Sequence, residues 1–362
     1  MLKQAKLAHA RRRLVVSSVP MSLILLAGLA AAPALARSGV PPASFRVALT
    51  APVDQAVMPP IDEERYLRED EARLASELDA PFRFAAPIPV SLSPGHDGTW
   101  EGLPDGGRVW RLEVISTGAR SLNFGFDSFR LPPGASVYFY ARGSGAFDGP
   151  YGDADAAGDG QFWSAIIPGD DAVCELDFPA RAAFEPDLTI SQVGHDYRGF
   201  AGLMEAGTRQ GSCNIDVVCP VAQPWANDVR AEGVYTLSGQ WTCSGQLINS
   251  ISTTPPPYFL TAYHCGIGTS NASSIVVYWN FISPTCGRLC CGSLSQHQSG
   301  STFKAKYSTS DFCLVQLNQT PADSSRVYYA GWMPPTPTGP APPPQSTIRT
   351  ATRRRSASTI GL

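Results

Sequence analysis

Residues 258–265 carry the densest chemical signal in the chain. Tyr258-Phe259-Leu260-Thr261-Ala262-Tyr263-His264-Cys265 climbs through apolar residues to a Thr-Ala pair, then presents a histidine beside a cysteine. Histidine titrates near neutrality, so a rigidly seated His264 has the property that a general base needs. The apolar run predicts a strand leading into it. A buried structural histidine at a strand end makes the same isolated His-Cys pattern, so the surroundings must decide.

Those surroundings match a known pattern. The stretch resembles the Thr-Ala-x-His-Cys motif of trypsin-like serine proteases, and specifically of the secreted bacterial lysyl endopeptidases. The resemblance covers 211–332 and includes the Cys213/Cys219 opening, Ser274-Ile275-Val276-Val277-Tyr278-Trp279-Asn280 and Thr309-Ser310-Asp311-Phe312. It implies that His264 is the general base and Asp311 the buried carboxylate that orients it and stabilises the imidazolium. The local pattern agrees: Asp311 opens a strand whose Phe312 and Leu314 share one face, and Cys313, Val315 and Leu317 the other. The resemblance further implies bridges Cys243–Cys265 and Cys219–Cys286. The family partner of Cys213 lies in a second barrel, and Cys174, Cys290, Cys291 and Cys313 have no assigned partner.

The same resemblance implies a nucleophile that the sequence does not supply. Acyl transfer needs a serine on a tight glycine turn whose N–H groups face the oxyanion. In the family that turn, Gly-x-Ser-Gly-Ser-Pro, and the lysine-binding pocket belong to the second barrel. After Trp332 the serines are Ser346, Ser356 and Ser358, none beside a glycine. Residues 333–362 hold seven prolines, four arginines and no carboxylate. Back-translated with permitted codons and read one base earlier, 345–355 becomes Ala-Ile-His-His-Pro-Asn-Gly-Asp-Glu-Lys-Ala. That resembles the segment following Gly-Trp in lysyl endopeptidases, so the tail is expected to be out of frame and the second barrel missing. A disordered basic tail is the other reading.

Positioning such a base calls for a β framework. Glycine (33) and proline (32) are abundant and charged residues few (16%), as in short strands joined by many turns. Lys+Arg (28) nearly balance Asp+Glu (31), so no overall field favours nucleic acid or an anionic membrane. Phosphate-cradling glycine loops and nucleotide fingerprints are absent, and no cofactor is expected. Lys3, Lys6 and Arg11 to Arg13, the apolar run from Leu23 to Ala32 and Ala34-Leu35-Ala36 predict an export signal rather than a membrane anchor. Export makes the nine cysteines disulfide candidates. Cys286, Cys290 and Cys291 lack a second Cys/His pair at zinc-finger distance, so no metal is expected.

The expected organisation is an all-β chain. Residues 1–36 are a signal peptide, and 37–99 a flexible leader with a short amphipathic helix between Ile61 and Leu78. A pro-region β-sandwich occupies 100–193. Its strands show as Trp110/Leu112/Val114 alternating with Arg111/Glu113, as Leu122/Phe124/Phe126, and as the runs Val137 to Tyr140, Phe162 to Ile167 and Val173 to Phe178. A sugar-binding module is the other reading of that sandwich; Trp110-Arg111-Leu112, Gly118-Ala119-Arg120-Ser121-Leu122 and the Leu131 turn resemble the lysyl endopeptidase pro-region. A processing linker spans 194–210. Residues 211–332 form the N-terminal antiparallel barrel of a trypsin-like two-barrel protease, with six strands. The resemblance implies a secreted endopeptidase, periplasmic or extracellular, that cuts protein or peptide substrates after a basic residue. Its pro-region would pack on the protease domain, and the chain as written would be inactive. The competing class is a non-catalytic secreted binding protein using the sandwich or the incomplete barrel.

Overall fold

The computed structural model describes residues 39–76, 81–200, 214–287, 292–331 and 359–361. The expected signal peptide, Cys213, Cys290, Cys291 and all of the expected tail except 359–361 lie outside these residues. The architecture is all-β. Two sheets form a sandwich. One has the order β1 (Asp54–Val57), β5 (Arg108–Ile115), β11 (Asp171–Phe178), β7 (Ser136–Tyr140), β8 (Asp148–Tyr151), with β4 (Thr99–Gly102) also on β5. The other has the order β10 (Ile167–Pro168), β6 (Ser121–Arg130), β12 (Asp187–Asp196), β3 (Ala85–Leu92), with β9 (Phe162–Trp163) also on β6. Trp110, Leu112, Val114, Leu122, Phe124, Phe126, Phe139 and Leu176 fill the space between the sheets.

The sandwich therefore begins well before residue 100, and two expected features change. The leader is not free. Its strand β1 pairs in parallel with β5, and β3 forms an edge beside β12. Neither showed in the sequence: β1 has no alternation, and Pro87 and Pro89 read against a strand but are tolerated on an edge. Arg111 and Glu113, expected to face water, are buried at 7% and 3% exposure. The N-terminal segment covers them and supplies the Ala51 carbonyl for Arg111 and Gln55 for Glu113, while Glu101 of β4 pairs with Arg111 and Arg142 with Glu113. Further along the same face, Glu175 accepts from the Ser44 N–H and the Tyr140 hydroxyl, and Asp177 from the Ala43 N–H and Arg46. The expected linker also starts late, because 194–196 complete β12 and both Tyr197 and Phe200 are buried.

Residues 232–317 fold into a barrel sheet. Its strands are β14 (Glu232–Leu237), β15 (Trp241–Ile248), β16 (Tyr258–Ala262), β17 (Val276–Trp279), β18 (His297–Ser299), β19 (Ser301–Tyr307) and β20 (Phe312–Leu317). The order β18-β17-β14-β15-β16-β20-β19 puts consecutive strands at the two ends. They are one continuous segment bent at Gly300, which brings the sheet round on itself. Only glycine fits there: φ is +85°, and a Cβ would lie 2.2 Å from the Asn318 amide. β18 is a seventh strand beyond the six expected. Tyr235, Leu247, Phe259, Val277, Trp279 and Val315 make the barrel core. Outside the barrel, β13 (Asn214–Asp216) pairs with β21 (Thr359–Gly361).

The sandwich and the barrel share a third core. Phe84, Ile166 and Phe200 pack with Val234, Val276, Tyr278 and Phe281. β2 (Phe82–Arg83) leaves the sandwich side altogether and pairs with Trp241 and Thr242 of β15. The helix α1 (Ala43–Arg46) lies in the N-terminal strap, while α2 (Glu63–Ser76) is the expected amphipathic helix. Its charged face is not merely solvated. Asp70 is 1% exposed and accepts from Arg83, Tyr197 and Arg198, and the Arg73 and Arg83 guanidiniums stack over the Trp241 ring.

Candidate active site

Strand β16 carries its alternating residues up the barrel wall and stops at Ala262. A single 3-10 turn, Tyr263–Cys265, follows, and Gly266 ends it in the left-handed conformation. The turn lifts His264 to the barrel rim. Antiparallel pairing of Ala262 with Phe312 sets the residue before β20, Asp311, opposite that turn.

Asp311 grips the turn at three points. Its carbonyl accepts from the Tyr263 N–H (3.1 Å), its Oδ1 from the His264 N–H (3.0 Å), and its Oδ2 lies 2.7 Å from His264 Nδ1. Its φ of +51° makes this possible, because the tight turn closed by its N–H on the Ser308 carbonyl swings the side chain back toward His264. Aspartate is among the few non-glycine residues that tolerate this conformation. A carboxylate can only accept, so Nδ1 carries a proton, and in the neutral ring the lone pair is on Nε2. Nε2 is shielded and has no hydrogen-bond partner among the described residues. An imidazole held by one nitrogen with the other free to accept a proton is set up for general-base work.

One expectation about this pair needs correcting. The Asp311 side chain is 50% exposed rather than buried, and that of His264 16%. Asp311 sits at the tip of the β19–β20 connection, and the barrel core lies behind it. Partial hydration weakens the electrostatic part of the pairing, so orientation here rests on the paired hydrogen bonds.

The floor beneath the turn is rigid. Cys243 on β15 is bonded to Cys265, and Cys219 to Cys286. Cys243, His264 and Cys265 place their ligand atoms within 4.8 Å of one another, a grouping with the look of a metal site. Both sulfurs are spent in the disulfide, so the cluster offers no thiolates. Cys174 and Cys313 are buried free thiols. Two supporting groups escaped sequence reasoning. Tyr235, fully buried, places its hydroxyl 3.0 Å from Thr261 Oγ1, and Thr261 donates to the Ser244 carbonyl at 2.8 Å. Tyr235 lies in an expected strand, but nothing local in the sequence showed that its hydroxyl meets Thr261. Lys306 donates to the Ile267 carbonyl and lies over the Tyr263 ring, fixing the chain just past the turn.

An antiparallel barrel that seats a His–Asp pair on its rim beside a disulfide has the trypsin-like architecture. Comparison with known proteins narrows this. Residues 67–197 match the lysyl endopeptidase N-terminal domain, and 208–344 the lysyl endopeptidase C-terminal domain. A lysyl endopeptidase of Pseudomonas aeruginosa is 26% identical over 253 residues, which cover 64% of this chain and 54% of that protein. The chain thus spans about half the length of the relative it matches. Both domains match in one chain and in that order, so the chain is similar to the lysyl endopeptidases over 67–197 and 208–344.

Proposed function

We propose that this chain is the precursor of a secreted serine endopeptidase that cuts after a basic residue, with residues before 200 as pro-region and residues after 213 as the first protease barrel. The observation that carries the reading is the His264 ring, tied to Asp311 through Nδ1, with no hydrogen-bond partner at Nε2 among the described residues. In the reaction, Nε2 takes the proton of a serine hydroxyl as its oxygen attacks the scissile carbonyl. It then returns that proton to the leaving amine, while Asp311 stabilises the imidazolium between the two steps. The lysine preference rests on the family resemblance. Export follows from the basic, apolar and small-residue segments of the first 36 residues; no helix among the described residues is long and apolar enough to cross a membrane.

The 362 residues as written are proposed to be catalytically silent. No serine after residue 332 stands beside a glycine, so none meets the requirement for a nucleophile within ~2.6–3.2 Å of a base and facing oxyanion donors. The test uses a fluorophosphonate probe and a lysyl ester on this chain and on a version whose frame is restored after the Trp332 codon. The expected result is no labelling of the first and stoichiometric labelling of the second, abolished by His264→Ala. Labelling of the chain as written would overturn the silence. A frame-restored chain that ignores lysyl esters but labels would overturn the specificity alone.

A further inference from the structure

A short strand from the N-terminal half sits on the barrel rim, beside the turn that carries His264. β16 pairs with β15 through Leu260, Phe259 and Tyr258 opposite Gln246, Leu247 and Ile248, and it ends at Ala262 before the turn. Trp241 and Thr242, at the start of β15, extend past that end. β14 covers one side of them, through Leu237 and Thr236. On the other side, where β16 would have continued, Phe82 lies opposite Thr242 and Arg83 opposite Trp241. The Phe84 N–H then donates to the Gln240 carbonyl at 2.9 Å. Both pairings with β15 are antiparallel, so β2 runs in line with β16 and enters the slot from the side of the His264 turn. Thr242 directly precedes Cys243, which is bonded to Cys265, the neighbour of His264.

A strand of two residues makes few backbone bonds, so its side chains must hold it in place. Arg83 donates to Asp70 (2.8 Å), Glu69 (3.0 Å) and the Tyr66 carbonyl (3.1 Å) of α2, and its guanidinium lies over the Trp241 ring. The Arg198 guanidinium covers the Phe82 ring, which packs against the core shared by sandwich and barrel. Pairing at the edge is different in kind. Strand addition uses main-chain groups, so the Trp241–Thr242 edge can accept any extended chain. Only the clamp is particular to β2.

We propose that the Trp241–Thr242 edge is a docking site for an extended peptide at the His264 rim, and that Phe82–Arg83 is an autoinhibitory strand filling it until the α2 clamp lets go. The edge and its occupant stand on the pairing alone; the inhibitory consequence rests on the protease reading above. A peptide held extended at the rim competes with β2 for the same N–H and C=O groups. A small ester that makes no strand contacts does not.

The experiment has two arms. In the first, the full chain is titrated into a fluorescent peptide of residues 81–87, Pro-Phe-Arg-Phe-Ala-Ala-Pro, and followed by anisotropy. Arg83→Ala, whose own β2 has lost its clamp, is expected to bind it at least about tenfold more tightly than the parent, and binding should raise hydrogen-exchange protection over 241–243. Arg83→Gln, a milder release that guards against misfolding, carries the same expectation. Equal binding by parent and variants, or no binding by either variant, would overturn the docking edge. In the second arm, the frame-restored chain is assayed while a gel shows it uncut. Arg83→Gln should leave lysyl ester turnover unchanged and speed cleavage of an extended lysine-containing peptide by at least about tenfold. Equal peptide rates with ester turnover intact would overturn the autoinhibition. Loss of ester turnover in both chains would overturn the protease reading and the inhibition with it, while the first arm still decides the edge.

Discussion

Replacing Asp70 by asparagine should loosen the junction between helix α2 and the barrel. Asp70 is 1% exposed, yet its carboxylate takes Arg83 Nε at 2.8 Å, the Tyr197 hydroxyl at 2.6 Å and Arg198 at 2.8 Å, with Arg73 at 3.9 Å. Arg83 and Arg198 are themselves mostly covered, at 12% and 22% side-chain exposure. Asparagine keeps the shape and one acceptor, so Tyr197 keeps a partner. The charge shared by the guanidiniums is lost, and breaking a buried pair from one side typically costs ~3–5 kcal/mol. Local opening of α2 and β2 from β15 would then become about 100-fold more frequent at the lower end of that range. The assay is hydrogen exchange over 82–84 and 241–243, with urea unfolding alongside. An unfolding loss below ~1 kcal/mol with unchanged exchange would refute the reasoning, because the guanidiniums would then be hydrated and not held by Asp70. The consequence reaches the candidate active site, since β15 carries Cys243, which is bonded to Cys265 beside His264.

Other expectations concern single sites. In a frame-restored chain, Asp311→Asn should lower kcat by ~10³–10⁴ with little change in KM, since the base loses its tautomer and orientation; a loss under tenfold would refute that role. Burial and the neighbouring Asp228 push the Glu232 carboxyl up to about 8, so the folded state holds a proton that the unfolded state releases, and stability falls as pH climbs from about 4.5 to 8. Glu232→Gln should flatten that fall and add about 2 kcal/mol at pH 8.5, read by urea unfolding; a parallel pH profile would count against it. Burial pushes the Cys313 thiol up to about 11 and raises Cys174 as well, so neither peptide should be alkylated by iodoacetamide at pH 8 without denaturant. Rapid native labelling of either, found by peptide mapping, would show that its strand opens.

What the sequence determined by itself was local. Alternation along β20 put Cys313, Val315 and Leu317 on one face and Phe312 and Leu314 on the other, and the apolar run into Thr261-Ala262 marked the strand that seats His264. These patterns are readable because one side of a strand meets the core and the other does not, whatever lies farther away. The tertiary structure decided everything that depends on a second layer. Arg111 and Glu113 follow a polar-out pattern but are buried, because a strap from 40–57 lies over that face and brings its own partners. Phe82 and Arg83 add to a barrel strand some 160 residues later, a pairing made of backbone hydrogen bonds that no side-chain pattern encodes. The same holds at the candidate site. Asp311 could be named from its motif, but its grip on His264 comes from a left-handed backbone turn, and its exposure from its place on the barrel rim. Composition along a chain records which face is apolar; which distant surface covers that face is a matter of packing, and here packing set the surroundings of His264 as well.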